Sequence, residues 1–321
     1  MKLRKLLQSS LSVAIIGVAT ALPLQAWSGD WEPSAPIRLE VGFGPGGSAD
    51  TVARLIAKQI ENEQGWKLVV ENKPGGGGTV MAGGLVRKPG DGLTFGLAVS
   101  ESLIYNLATR QGSHYGLEDF AYLGTAGVAP ISWIAKSDAP YTDIESLIDY
   151  ANSNDGATVA VQSKGSELLV RAIAKLSGAP LRPVPAQGGS TVLQHILGGH
   201  VDSGFDGGAH IKYVEDGELK VLAPATRARH PVASDQLTLI EQGYEFGYEE
   251  PHFVFIAPKE LPADAQSALA TALDSAITSP EVIDVLKNSM HIEANNLGVE
   301  QTALMMTRSL RGAEQLIKAA E

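Results

Sequence analysis

The feature that most constrains the fold is an alternation of short apolar runs with amphipathic stretches. Strand-like runs lie at 37–43, 67–71, 94–99, 131–136, 157–161, 201–205, 219–224 and 252–258. Helical patterns lie at 49–62, 144–152, 167–176, 191–197, 263–278 and 301–318. In the first of these, Val52, Leu55, Ile56 and Ile60 recur near the 3.6-residue period and form one apolar stripe. Such alternation predicts an α/β protein with largely parallel sheets. No repeat at a solenoid period is visible.

Glycine and proline cluster where strands give way to helices, at 42–50, 162–166 and 187–191. The glycines at 75–78 read as one more turn of this kind. Ligands of open α/β sheets collect at the carboxyl ends of strands. Because the three junctions are far apart in sequence, one site using all of them has to lie between two lobes.

The first junction sits in EVGFGPGGSADTVARLIAKQ and satisfies a dinucleotide spacing at Gly42, Gly44 and Gly47. Glu71 stands where the ribose-binding acid of such a site is expected. Against a dinucleotide, Pro45 removes an N–H from the loop that would cradle the pyrophosphate. Ser48 and Asp50 also crowd the helix start, as a cap and a first-turn acid. Gly46 and Gly47 offer a second reading, a nest of N–H groups at a helix N-terminus that holds a smaller anion. A third is a turn with no ligand. The residues alone leave the last two open.

Lys2, Arg4 and Lys5 followed by the apolar run 11–24 resemble a secretory signal peptide, expected to span 1–28 with Ala26 and Ser28 before the cut. The run is shorter than the ~20 residues needed to cross a bilayer. Cysteine is absent, which excludes a lipobox, a disulfide framework and a thiolate nucleophile or ligand. No twin-arginine signal precedes the run, so export is expected in the unfolded state, without a tightly held cytoplasmic cofactor. The net charge of −11 falls to −14 without the three leader cations, a surface that repels nucleic acid and anionic lipid.

Catalytic constellations are missing. There is no HExxH, and His195 and His200 do not share a helix face. No Gly-x-Ser-x-Gly marks a nucleophile elbow. Neither catalytic residues nor a metal or cofactor are expected. Phe43, Tyr105 and Trp133 are candidate cleft walls.

PIRLEVGFGPGGSADTVARLIAKQI, VVENKPGGGGTV and PGDGLTFGLA resemble the extracytoplasmic solute receptors of tripartite tricarboxylate transporters, the Bug family. LEDFAYLG, PAQGGSTVLQHILGGHVDSGFDG, GELKVLAPATRARHP and IAPKELPADAQSALATALDSAITSPEVIDVLK follow in the family's order. The resemblance implies a type II periplasmic-binding-protein fold, two α/β lobes around a ligand cleft joined by two crossover strands. Lobe I is then expected at 29–129 plus 226–321 and lobe II at 130–225. It also implies a soluble periplasmic monomer, free of nucleic acid, that captures a small di-, tri- or aromatic carboxylate for the transporter's membrane subunits. A receptor feeding a two-component sensor is one alternative, and an NAD-binding oxidoreductase the other. Carried over position by position, the ligand-binding set is Phe43, Pro45, Gly46, Gly47, Ser48, Asp50, Ser100, Ser163, Lys164, Gly165, Ser166, Gly188, Gly189 and Asp206.

The second-lobe loop departs from the family pattern. Lys164 introduces an amine, and Glu167 stands where a histidine is common. Ala186-Gln187 replaces the usual Tyr-Lys, His195 an Asp, and His252 a Trp. Lys164 reads either as a point charge for an anionic ligand or as a surface lysine beside Glu167.

Overall fold

The computed structural model describes residues 31–109, 114–246 and 250–321, so the expected signal peptide lies outside the described residues. The first half of the alternating chain runs β1 (Ile37–Val41), α1 (Ser48–Gln64), β2 (Leu68–Asn72), α2 (Thr79–Leu85), β3 (Thr94–Val99), α3 (Ser100–Ala108) and β4 (Phe120–Val128). A second series follows: β5 (Ser132–Lys136), α4 (Ile144–Ser153), β6 (Ala157–Val161), α5 (Lys164–Ser177), β7 (Leu181–Pro185), α6 (Gly189–Leu197), β8 (Ser203–Asp206), α7 (Ile211–Glu215) and β9 (Leu219–Pro224). The chain ends with β10 (His252–Pro258), α8 (Ala263–Thr278), α9 (Pro280–Ser289) and α10 (Gly298–Ala320).

The strands form two five-stranded sheets, ordered β2-β1-β3-β10-β4 and β7-β6-β8-β5-β9. Each is mixed, which corrects the expectation of largely parallel sheets. β1 pairs in parallel with β2 and β3, whereas β10 lies antiparallel to β3 and β4. In the second sheet β6 is parallel to β7 and β8, and β5 is antiparallel to β8 and β9. The antiparallel strand is in both cases the one that enters the lobe from the other, and this reverses its direction. The crossings between lobes, β4 to β5 and β9 to β10, run side by side. Ala129 N–H donates to Pro251 O at 2.6 Å, and Ala225 N–H to Ile131 O at 2.8 Å.

Burial explains the elements. Ile37, Leu39 and Val41 of β1 are wholly enclosed, each contributing roughly 1.5–3 kcal/mol of transfer free energy. The stripe of α1 buries Val52, Ala53, Ile56, Ala57 and Ile60, and the helix stops at Gly65, whose left-handed backbone directs its N–H to Glu61 O. Ser163 caps α5 and Asp143 caps α4, each in a capping box. Helix α10 packs on β4, α3 and also α5, so the C-terminal segment braces both lobes.

Two strands went unread for local reasons. In β4, Gly124 and Gly127 have positive φ and the pairing with β10 shifts register twice, so the run lacks a strand's even alternation. The β7 stretch contains Pro183 and Pro185, tolerable because β7 is an edge strand.

Candidate functional site

The carboxyl ends of β1, β3, β6 and β8 converge between the sheets, and a small cavity opens there. Phe43, Gly47, Ser48 and Ala49 line it from the β1–α1 junction, and Val99 and Glu101 from β3–α3. Gln162 and Ser163 come from β6–α5, Gly189 from the start of α6, and Gly207 from the end of β8. Ala129 and Ile131 of the first crossing complete the wall.

The β1–α1 loop is held by Asp50, which is only 5% exposed. Its carboxylate accepts Gly46 N–H at 3.0 Å, Asn72 Nδ2 at 2.8 Å and Arg54 Nε at 3.0 Å. Burial pushes the Asp50 carboxyl up, but Arg54, the Gly46 N–H and Asn72 outweigh it and hold its pKa below the usual value. Ser48 is the first residue of the helix rather than its cap; that position belongs to Gly47 in extended conformation. The first N–H groups of α1 have no partner within the helix and carry its positive dipole end.

The same loop meets the second lobe directly. Gly44 N–H donates to Gln187 O at 3.0 Å, and Ser190 Oγ donates to Pro45 O at 3.0 Å. Two potential donors of the loop, Gly44 and Gly46, are thus used within the protein. A pyrophosphate cradle has lost its N–H groups here, and a smaller anion is left with the N-termini of the helices.

In the second lobe Ser163 and Ser166 satisfy each other: Ser163 Oγ accepts Ser166 N–H at 3.1 Å, and Ser166 Oγ accepts Ser163 N–H at 3.2 Å. Lys164 pairs with Glu167, Nζ to Oε2 3.0 Å, and Arg171 grips the other carboxylate oxygen at 2.7 Å. Lys164 borders an adjoining groove that shares Gln162 and Ser163 with the cavity and is also lined by Gly76, Thr79 and Asn106.

Asp206 is fully buried behind Gly189. Its Oδ1 accepts Gly208 N–H at 3.0 Å, His210 N–H at 2.7 Å and the His210 ring at 2.7 Å, and His210 Nε2 meets His230 Nε2 at 2.9 Å. Burial favours the protonated acid, but the His210 ring and these N–H groups outweigh it and hold the pKa low. Burial, reinforced by the charges of His210 and His291, drives His230 down to about 3. A Cβ on Gly189 would fall 2.0 Å from Asp206 Oδ2, so only glycine lets α6 start at this place.

Glu101, in the first turn of α3, is 1% exposed and escaped sequence reasoning. Burial drives its carboxyl up to about 7, with the Ser163 and Ser102 hydroxyls and Gly165 N–H keeping it from rising further. Of these only Ser102 Oγ, 3.2 Å from Oε1, closes a hydrogen bond of sound geometry, and Oε2 has none. A Cβ on Gly165 would lie 2.1 Å from Oε2, so the missing side chain admits the acid. The only sequence signal was an acid directly after a strand, which reads equally as an ordinary first-turn residue.

Of the expected ligand set, Phe43, Gly47, Ser48, Ser163 and Gly189 line the cavity. Asp50, Gly165, Ser166, Gly188 and Asp206 are buried, and Pro45 and Gly46 are exposed in the β1–α1 loop. Ser100 Oγ accepts His252 N–H at 2.9 Å, tying α3 to β10. Trp133 is not a cleft wall, because it is enclosed against Phe205 at 4.8 Å with its N–H on Ser203 Oγ. Tyr105 is likewise wholly buried and Phe43 alone of the three aromatics lines the cavity. Among the described residues no group of three or more His, Cys, Asp or Glu side chains is placed to hold a metal ion. No helix among them is long and apolar enough to cross a membrane.

Residues 52–321 match the sequence model described as the tripartite tricarboxylate transporter family receptor. A Cupriavidus necator protein described as a UPF0065 protein in the gbd 5′ region is 29% identical over 312 residues, covering 96% of this chain and 93% of its own. The periplasmic binding protein BugD superposes with a TM-score of 0.79 at 25% identity, over 90% of this chain and 98% of that one. MatC from Rhodopseudomonas palustris with bound malate gives 0.79 at 22% identity, over 90% and 100%.

Proposed function

We propose a function from one premise: the chain belongs to the tripartite tricarboxylate transporter family of receptors. It is a periplasmic solute-binding protein that captures a small carboxylate between its lobes and delivers it to the membrane subunits of such a transporter. Lobe I comprises 29–129 and 226–321, and lobe II 130–225, with His230, Gln236 and Gln242 of the returning segment hydrogen-bonded to lobe II at His210 and Leu222.

The observation that carries this reading is the meeting of helix N-termini at one small cavity. Those of α1, α5 and α6 reach it through Gly47-Ser48, Ser163 and Gly189. Each presents N–H groups without intrahelical partners and a positive dipole end, and together they suit a carboxylate, not a pyrophosphate. MatC holding malate supports the same ligand class. Phe43, Val99, Ala49 and Ile131 supply the apolar remainder of the wall.

Capture works through lobe closure. The direct bonds that join the lobes at this loop, Gly44 to Gln187 and Ser190 to Pro45, are worth only ~0.5–1.5 kcal/mol each. A ligand that touches both lobes adds contacts available only in the closed form and shifts the equilibrium toward it. The closed surface is then what the membrane subunits receive.

A thermal-shift screen of mono-, di- and aromatic carboxylates alongside NAD tests the reading. The cognate acid at 100 times its Kd adds about 2.7 kcal/mol to the stability. Stabilisation by NAD and by none of the acids overturns it.

A further inference from the structure

Glu101 belongs to α3 and the residue that seals it belongs to α5, so the enclosure of this acid is a contact between the two lobes. Its Oε2 lies so close to Gly165 that a Cβ there would collide with it, and it has no hydrogen-bond partner. Oε1 has the Ser102 hydroxyl at 3.2 Å. Among the described residues that line the cavity, Glu101 is the one ionisable side chain.

The charged groups on the surrounding elements are spent elsewhere. Lys164 of α5 is paired with Glu167. His252 of β10, whose N–H meets the neighbouring Ser100, holds its ring on Glu250 O at 3.1 Å. Helix α10 packs on both α3 and α5, but its Arg308, Arg311, Glu314 and Lys318 are exposed. Asp206, the other buried acid here, is in a different position. Its Oδ2 is also unpartnered, against Gly189, yet Oδ1 collects the His210 ring and two N–H groups, which hold its pKa low. Of the two acids, Glu101 is the one that a closing cleft neutralises.

Two effects act on it in the same direction. When the lobes part, Gly165 leaves Oε2 and water reaches the carboxylate. When they meet, the carboxylate loses that water without gaining a partner, which favours the neutral acid. A ligand carboxylate in the same cavity adds a like charge and favours the neutral acid again. One proton relieves both.

We propose that Glu101 is a proton site coupled to capture: closure of the lobes over a carboxylate ligand moves one proton from solvent onto Glu101, so that acid and proton are taken up together. The proposal rests on the two-lobe carboxylate capture argued above. Sealed in this way, the Glu101 carboxyl is pushed up from 4.5 to about 7 by burial. Because closure raises the pKa, its contribution to binding is fully present below the open-form value and is lost as pH rises through the closed-form value.

The test is calorimetric titration of the full mature protein with malate, adipate and benzoate at pH 6 and pH 8. Each titration is run in two buffers of different ionisation enthalpy, whose heats differ by the protons exchanged. At pH 6 the tightest-binding of the three acids brings in at least about half a proton beyond its own ionisation, and it binds about tenfold more tightly than at pH 8. Glu101→Gln, neutral at every pH, takes up no proton and binds at pH 8 within about threefold of the wild type at pH 6. A smaller wild-type uptake, or an affinity that does not change with pH, overturns the inference and leaves the carboxylate receptor standing. So does an uptake that survives in Glu101→Gln, which puts the proton on another group. Binding of none of the three acids overturns the carboxylate reading and this inference with it. The wild-type measurement needs no variant, so poor folding of Glu101→Gln leaves the proposal exposed to refutation.

Discussion

Asp50→Asn removes the brace of the β1–α1 loop with the smallest change of shape. In the wild type this nearly buried carboxylate accepts the Gly46 N–H, Asn72 Nδ2 and Arg54 Nε, and its nearest guanidinium contact is 2.9 Å. An amide has one acceptor oxygen where the carboxylate has two, so one of these donors is left facing an NH2 group. The cost of a lost charge-assisted bond is ~1.5–3 kcal/mol, and leaving a buried donor unmet costs ~1–3 kcal/mol. Arg54 stands half in solvent, so its share is screened and the lower part of the range applies. We expect a loss of about 2 kcal/mol, read in calorimetry as a fall in Tm of roughly 4–8 °C.

The effect has a pH signature. Because folding lowers the pKa of Asp50, its stabilisation is fully present above the unfolded value near 3.8 and is lost as pH falls through the lower folded value. The gap between wild type and Asp50→Asn is therefore constant from pH 5 to 8 and closes as pH falls below about 4. Equal Tm values at pH 7, or a gap that persists undiminished in acid, refute the bracing role.

Two other perturbations are equally specific. Lys164→Gln changes ligand affinity by less than about twofold, since its ammonium is held by Glu167 and does not line the cavity itself; a tenfold loss by calorimetry shows that it reaches the ligand. His230→Gln flattens the acid limb of stability. The wild-type His230 stays neutral when folded down to about pH 3, so the unfolded chain binds the extra proton and stability falls as pH drops from about 6.5. A Tm-against-pH slope between 6.5 and 4 that is unchanged in the variant counts against this.

How much could be read beforehand follows from how local each feature is. The run Thr94–Val99 and the helix Ala263–Thr278 carry their signal in their own residues, and they lie where the pattern puts them. The direction of β10 does not. His252–Pro258 reads as a buried strand in any sheet, and only its arrival from the second lobe sets it antiparallel to β3. Gly189 was legible as a turn residue, yet its pairing with Asp206 depends on two elements meeting in space. Glu101 and Gly165 are the extreme case, 64 positions apart and informative only together.

The two lobes show why the family motifs identify the fold more readily than the ligand. Their sheets share one order, a parallel trio followed by a reversed strand and an outer one, although no sequence repeat is visible between them. What recurs is the physical demand that strand ends open into helix N-termini facing the cleft. Glycines and small polar residues meet that demand, and they are the residues the motifs record. Dipoles of this sort attract any carboxylate of suitable size, so they define a class and discriminate weakly within it. Discrimination needs a side chain that adds attraction for one ligand and repulsion for its relatives. The one charged side chain that lines this cavity, Glu101, lies outside the glycine-rich turns.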